Sequence, residues 1–169
     1  MKSLSVKSAS IALLVLTAPA YAQPRSDLNG EWELVTESRP GNAAYLSPIG
    51  LRGSIVQTQQ ALILTPAVIT SSPSNLHGKA RTFALDGSEV RETGEDATGA
   101  PFVWLSRARR ISAAFVITTS HPRGTEPGWQ SLTVLSLTGE GELEILSVGP
   151  NLWPVGTTTS LRFIYRRKP

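Results

Sequence analysis

The chain has 169 residues, of which 16 are Lys or Arg and 13 are Asp or Glu, and its formal net charge is +3. It contains no cysteine, which excludes disulfides and thiol chemistry, so stability must come from a buried core, for which the length is sufficient. No dense Lys/Arg stripe with interleaved aromatic residues is present, and nucleic acid is therefore not an expected partner.

The N-terminus has the pattern of an export signal. Lys2 and Lys7 precede the apolar run IALLVLTAPA, and Ala20 and Ala22 have the spacing of a signal-peptidase site. The run is too short to span a bilayer comfortably, and no cysteine follows it that could carry a lipid. We therefore expect cleavage after Ala22 and export to the periplasm or the medium, without stable membrane insertion.

This prediction divides the chain into a signal peptide over 1–22 and one β-barrel domain over 23–169. Removal of the signal peptide leaves 14 basic residues against 13 acidic ones, a net charge of about +1. The high isoelectric point of the full chain therefore owes part of its value to the export signal.

The rest of the chain is predicted to be all-β. Short runs rich in Val, Ile, Thr and aromatic residues recur between turn signals, and no stretch has apolar residues at helical spacing. Trp32 and Leu34 fall on one face of the first run, and Glu31 and Glu33 fall on the other. We predict strands at 31–38, 53–59, 61–65, 80–85, 88–93, 102–109, 113–120, 129–137, 142–148 and 158–167.

The connections between these strands are alternately short and long. One short connection is the pair Asp86 and Gly87, a strong signal for a two-residue hairpin, whereas the long connections are rich in Pro and Gly. In an antiparallel meander all the long loops then emerge at one end. The pattern predicts a single up-and-down antiparallel β-barrel of eight to ten strands, with one closed base and one mouth with long loops, in which the first and last strands pair.

Both ends of the domain meet at the predicted base. The first strand starts there with Gly30 and Trp32, and the last strand ends there with Arg166 and Arg167. We expect Trp32 to plug the base with an arginine across its ring, a contact worth about 0.5 to 2 kcal/mol. All four residues are therefore predicted to be structural.

Gly30, Glu31 and Trp32 match the Gly-x-Trp signature at the first strand of lipocalins, and the terminal arginines lie where the partner arginine of that family would be. The whole chain resembles the uncharacterised exported bacterial lipocalin-like proteins, which share the export signal, the LNGEW start, the LDG segment and the arginine-rich final strand. The resemblance implies a ligand-holding barrel and no established activity.

Aromatic residues around the predicted mouth are the candidate binding residues. Phe102 and Trp104 lie on one face of their strand, near its mouth end, where they suit an apolar or flat ligand. Tyr45 and Trp153 lie on loops around the same mouth, and His121 is placed in a third mouth loop. These five residues form the predicted binding site.

Three hypotheses about function follow. The first is a barrel that binds a small, mostly apolar ligand through its mouth. The second is a protein-interaction module, such as an inhibitor or an envelope factor, with a filled barrel and with Trp153 and the HPRGTEP segment presented on loops. The third, an enzyme, is the weakest, because the chain lacks a G-x-S-x-G elbow and His77 and His121 have no metal-ligand spacing. We therefore predict no catalytic residues, no metal and no cofactor.

Overall fold

The computed structural model describes residues 27–37, 47–68, 79–95, 100–123, 126–150 and 158–169. Every regular element in these ranges is a β-strand, and the described residues include no helix that could cross a membrane. The strands are β1 (Gly30–Glu37), β2 (Arg52–Gln57), β3 (Ala61–Val68), β4 (Arg81–Ala84), β5 (Asp86–Glu95), β6 (Pro101–Ile111), β7 (Ala114–Arg123), β8 (Glu126–Leu137), β9 (Leu143–Pro150) and β10 (Thr158–Arg167). The all-β prediction is confirmed, and each predicted strand overlaps one observed strand.

The ten strands form one antiparallel sheet that curls into a nearly closed barrel. Their order is β4-β3-β2-β1-β10-β9-β8-β7-β6-β5, and each of the nine neighbouring pairs in this order is laddered. The first and last strands pair as expected, with Trp32 opposite Arg167. That pairing lies in the middle of the sheet, however, and the two sheet edges are β4 and β5, which follow each other in the chain through Leu85.

The predicted hairpin at Asp86 and Gly87 is wrong. These residues begin β5, which pairs with β6, and no ladder between β4 and β5 is found in the described residues. The register of β5 shifts between Asp86 and Glu89, where Gly87 has a φ of +83° and an added Cβ would lie 2.6 Å from the Nε of Arg109. The glycine that suggested a turn thus supplies the positive φ of a β-bulge.

The two ends of the barrel differ in their connections. Four short connections, namely β2–β3, β4–β5, β6–β7 and β8–β9, lie at the end where β1 begins and β10 stops; we call it the base end. The opposite end, where β1 stops and β10 begins, is the mouth end. The segment HPRGTEPG was predicted to be a long loop there, but β7 extends to Arg123 and β8 starts at Glu126, so most of it is strand.

Side chains along each strand alternate between the inside and the outside of the barrel, and the inward ones fill its interior. In β10, Leu161, Phe163 and Tyr165 are buried, whereas Arg162 and Arg166, which point to the other face, are exposed. The side chains that are fully buried are mostly large and apolar, which is the main source of stability in a chain without disulfides. The largest of them are Trp32, Tyr165, Phe83, Phe115, Phe163, Leu28, Ile49, Ile55, Leu62, Leu64, Leu135 and Leu143.

The end of the β1–β2 connection also enters the interior. Ile49 has no exposed surface and belongs to the core. A Cβ at Gly53, which faces inward opposite Trp32, would lie only 2.7 Å from the backbone oxygen of Ile49 and 2.7 Å from that of Thr65. The loop therefore approaches β2 so closely that only glycine fits at this position.

Candidate ligand-binding site

The base end is closed by a cluster of Leu28, Trp32 and Arg167. The indole Nε1 of Trp32 donates a hydrogen bond to the Leu28 carbonyl over 3.0 Å, and the guanidinium carbon of Arg167 lies 4.9 Å from the centroid of the Trp32 ring. Arg167 also donates from Nη2 to the Asp27 carbonyl over 2.6 Å. These contacts cover the tryptophan with a cation and tie both ends of the domain together.

The two terminal arginines have different environments. Arg167 lies across Trp32 and passes Gly30, whose φ of +136° suits glycine and whose added Cβ would be 3.6 Å from the arginine side chain. Arg166 is exposed on the outer face and approaches Glu142 at 3.4 Å. Of the predicted pair, Arg167 therefore makes the contact with the tryptophan.

At the mouth end the structure brings together three of the five predicted binding residues: Phe102, Trp104 and His121. The ring centroid of Phe102 lies 5.5 Å from that of Trp104 and 5.5 Å from that of His121, which it meets edge-on. Trp104 is 8% exposed and His121 is 9% exposed. We call these three side chains the aromatic wall.

His121 was predicted to lie in a loop, but it is part of β7 and faces inward. Its Nδ1 lies 2.8 Å from the backbone carbonyl of Val103. Because a carbonyl oxygen only accepts hydrogen bonds, Nδ1 carries a proton and donates it to this carbonyl. This bond orients the imidazole toward Phe102 and makes it part of the wall.

An ion pair that the sequence analysis missed borders the wall. Arg81 on β4 donates from Nε and Nη2 to the same carboxylate oxygen, Oε2, of Glu92 on β5, over 2.8 and 2.6 Å. Its guanidinium carbon also lies 4.9 Å from the ring of Phe83 and 4.7 Å from that of Trp104. We call Arg81 and Glu92 the seam pair, because they bridge the two edges of the sheet.

The seam pair is anchored to the neighbouring strands. Nη2 of Arg81 donates to the hydroxyl of Ser106 over 3.1 Å, and Ser106 is hydrogen-bonded over 3.1 Å to Thr119 on β7. Within the described residues, Nη1 of Arg81 and Oε1 of Glu92 make no hydrogen bond. One donor group and one acceptor atom thus remain open beside Trp104.

Small side chains line the wall of β8 and β9 near the mouth end. Ser131 opposes Thr119, and the hydroxyl of Thr133 lies 3.4 Å from that of Ser147. Gly149 approaches Ser131 so closely that an added Cβ would lie 3.2 Å from the serine Cβ. Ser131, Thr133, Ser147 and Gly149 face inward but are only half-buried, whereas Thr119 is buried. At these four positions of β8 and β9 the inner face therefore carries small, partly accessible residues.

Glu37 lies at the mouth end of the inner face of β1. It opposes Phe163, and its Oε2 is sealed from solvent without a hydrogen-bond partner. Leaving such an acceptor unsatisfied costs about 1 to 3 kcal/mol, and more when it carries charge. Burial raises the pKa of Tyr165 above its ordinary value, the hydrogen bond from Ser47 opposes this, and the charge of Glu37 adds to it.

The other predicted site residues lie outside the described residues. They are Tyr45, Trp153 and, for the enzyme hypothesis, His77. In the described part of the chain, no three His, Cys, Asp or Glu side chains come together as metal ligands would.

No family model matches the chain, and no curated protein does so either. The architecture is compatible with a lipocalin-like barrel.

Proposed function

We propose that the protein is an exported lipocalin-like barrel that binds a small, mostly apolar molecule in the mouth-end half of its interior. The observation that carries this proposal is the aromatic wall of Phe102, Trp104 and His121, which lies on the inner face of the barrel and is not part of the hydrophobic core cluster. Flat aromatic side chains with a few fixed polar groups beside them are the usual lining of small-molecule sites.

The distribution of side-chain size along the barrel supports the same location. The base half is packed with large apolar residues and closed by Trp32 and Arg167. At positions 131, 133, 147 and 149 the inner faces of β8 and β9 carry only serine, threonine and glycine. A molecule in this half would gain apolar contact without displacing the core, and the open donor of Arg81 and acceptor of Glu92 would orient its polar part.

A fluorescence assay with the purified protein tests the proposal. The neutral dye N-phenyl-1-naphthylamine should become bright on binding, and small apolar compounds should displace it. Trp104→Ala should weaken dye binding about tenfold or more, because stacking area on the wall is lost. The matched control is Val103→Ala, which changes the neighbouring side chain on the outer face of β6. It should leave the affinity for the dye unchanged.

The opposite result would favour the protein-interaction hypothesis. If the dye does not bind, and native mass spectrometry of protein from its own host detects no bound small molecule, the barrel is not a carrier. Equal affinities of Trp104→Ala and Val103→Ala would instead place the bound dye elsewhere and overturn the assignment to the aromatic wall.

Export is proposed from the N-terminal pattern alone. Lys2, Lys7 and the apolar run that follows them favour a signal peptide that is removed after Ala22. N-terminal sequencing of the protein from a periplasmic extract or culture medium should then begin at Gln23. Recovery of the chain only from the cytoplasm with its first residues intact would contradict this proposal.

A further inference from the structure

Oε2 of Glu37 is the one buried side-chain oxygen without a hydrogen-bond partner in the described part of the chain, although the residue as a whole is half-buried. Glu37 opposes Phe163, whose side chain has no exposed surface and points into the core. A β-bulge between Leu34 and Thr36 brings Glu37 onto this inner face, because the register shift places it opposite Phe163 instead of on the outer surface. The bulge in β1 thus directs the side chain of Glu37 into the barrel.

The interior charges near the mouth end do not balance. Among the inward-facing residues whose side chains are described there, Arg81, Glu92 and Glu37 are charged. Arg81 and Glu92 neutralise each other through two hydrogen bonds. Glu37 has no cation of its own among them, so a bound molecule with a positive group would compensate it.

Glu37 lies across the barrel from the aromatic wall. In the strand order, β1 and β6 are five positions apart in either direction around the barrel, which places them on opposite sides. An ideal ten-stranded barrel with ordinary strand spacing and tilt is roughly 20 Å wide between backbones. Side chains from both sides reduce that width to the size of one small molecule. A ligand in this half can therefore touch both the wall and the carboxylate.

We propose that the ligand is an apolar or aromatic amine, whose protonated nitrogen pairs with the carboxylate of Glu37 while its body lies against Phe102 and Trp104. This inference rests on the proposed function and names the chemical class of the ligand. An acidic ligand is disfavoured, because Glu37 would repel it and the positive charge of Arg81 is already neutralised by Glu92. A neutral ligand would leave the negative charge of the Glu37 carboxylate without a counterion.

Three compounds that share one apolar body test this class. They are 2-(2-naphthyl)ethylamine, 2-(2-naphthyl)ethanol and 2-naphthylacetic acid, each used at pH 7 to displace N-phenyl-1-naphthylamine from the wild-type protein. The amine should bind about tenfold more tightly than the alcohol, and the acid should bind most weakly. Glu37→Gln should reduce the preference for the amine to about threefold or less, with the affinity for the neutral dye retained.

Glu144→Gln is the matched control, because it makes the same chemical change on the outer face, where Glu144 pairs with Arg162. It should keep the preference for the amine. Equal binding of amine and alcohol by the wild-type protein overturns the inference, and this comparison needs no variant to fold. A preference that survives Glu37→Gln also overturns it.

The proposed binding function and the amine class of the ligand can fail separately in these experiments. If the dye binds but none of the naphthyl compounds displaces it, the amine class is wrong and the proposed binding function stands. If the dye itself does not bind, the proposed function fails and the amine class fails with it.

Discussion

The hydroxyl of Tyr165 donates a hydrogen bond to the backbone carbonyl of Gly50 over 2.8 Å, joining residues that are 115 positions apart. The same hydroxyl lies 2.5 Å from the Oγ of Ser47. Because Tyr165 has one proton and the carbonyl can only accept it, Ser47 must donate to the phenolic oxygen. These two hydrogen bonds of Tyr165 hold the end of the β1–β2 connection inside the barrel, where Ile49 is part of the core.

Removing that hydroxyl should destabilise the fold measurably. Tyr165→Phe keeps the buried ring but leaves the Gly50 carbonyl and the Ser47 hydroxyl without their partner, which should lower the free energy of unfolding by about 1 to 3 kcal/mol. Urea denaturation followed by tryptophan fluorescence gives the value. Thr118→Val removes a hydroxyl from the exposed face of β7 and should change stability by less than about 0.5 kcal/mol. Similar losses in both variants would contradict a special role for the buried bond.

The same tyrosine should make stability depend on alkaline pH. Burial raises the pKa of Tyr165 well above its ordinary value of 10.0, so the folded state holds the phenolic proton more tightly than the unfolded state. The resulting stabilisation is complete below about pH 10 and is lost as the pH rises further, by up to about 1.4 kcal/mol per pH unit. Tyr165→Phe lacks this group, and other titrating groups are common to both proteins. The stability difference between them, measured by urea denaturation, should therefore shrink above pH 10, and a constant difference would refute the linkage.

The two terminal arginines offer a matched pair of substitutions. Arg167→Ala removes the cation over the Trp32 ring and the hydrogen bond to the Asp27 carbonyl, so the free energy of unfolding should fall by about 1 to 2 kcal/mol. Arg166→Ala removes only an exposed ion pair and should change it by less than about 0.5 kcal/mol. Thermal and urea denaturation of both variants measure the contrast, which would disappear if the two arginines were equivalent.

Sequence reasoning succeeded where alternation and position along the chain decide the outcome. The alternation of Trp32 and Leu34 with charged residues predicted an inward face, and the up-and-down strand order predicted that β1 would meet β10. Phe102 and Trp104 lie on the predicted common face of their strand, near its mouth end. These inferences need only the two-residue period of a strand and the order of the strands along the chain.

The rest depends on contacts that no local pattern reveals. Gly87 suits either a turn or a bulge, and its use as a bulge left β4 and β5 as the two edges of the sheet. Arg81 has strand alternation with Phe83, but its partner Glu92 belongs to the opposite edge. Ile49 lies in a loop rich in Pro and Gly, whose composition suggests exposure, and only the close approach to Gly53 shows where it packs.

The seam pair should stabilise the junction at which the barrel lacks a ladder. The side chains of Arg81 and Glu92 are only 13% and 18% exposed, so loss of one partner leaves a poorly solvated charge on the other. Arg81→Met should lower the free energy of unfolding by about 3 kcal/mol, toward the lower end of the range for buried pairs. In the double variant Arg81→Met, Glu92→Met, part of this loss should be recovered, because no unpaired charge remains.

Hydrogen exchange can locate the effect within the sheet. In Arg81→Met, amide exchange should accelerate most in β4 and β5, the two edges that the pair bridges, and least in the laddered strands β8 and β9. The exposed pair Arg107 and Glu89, on the outer face of β5 and β6, provides the control. Because water solvates each of its partners, Arg107→Met should produce neither the local acceleration nor a loss above about 0.5 kcal/mol. Uniform acceleration across all strands in Arg81→Met would mean that the pair supports global stability alone and does not fasten the two edges.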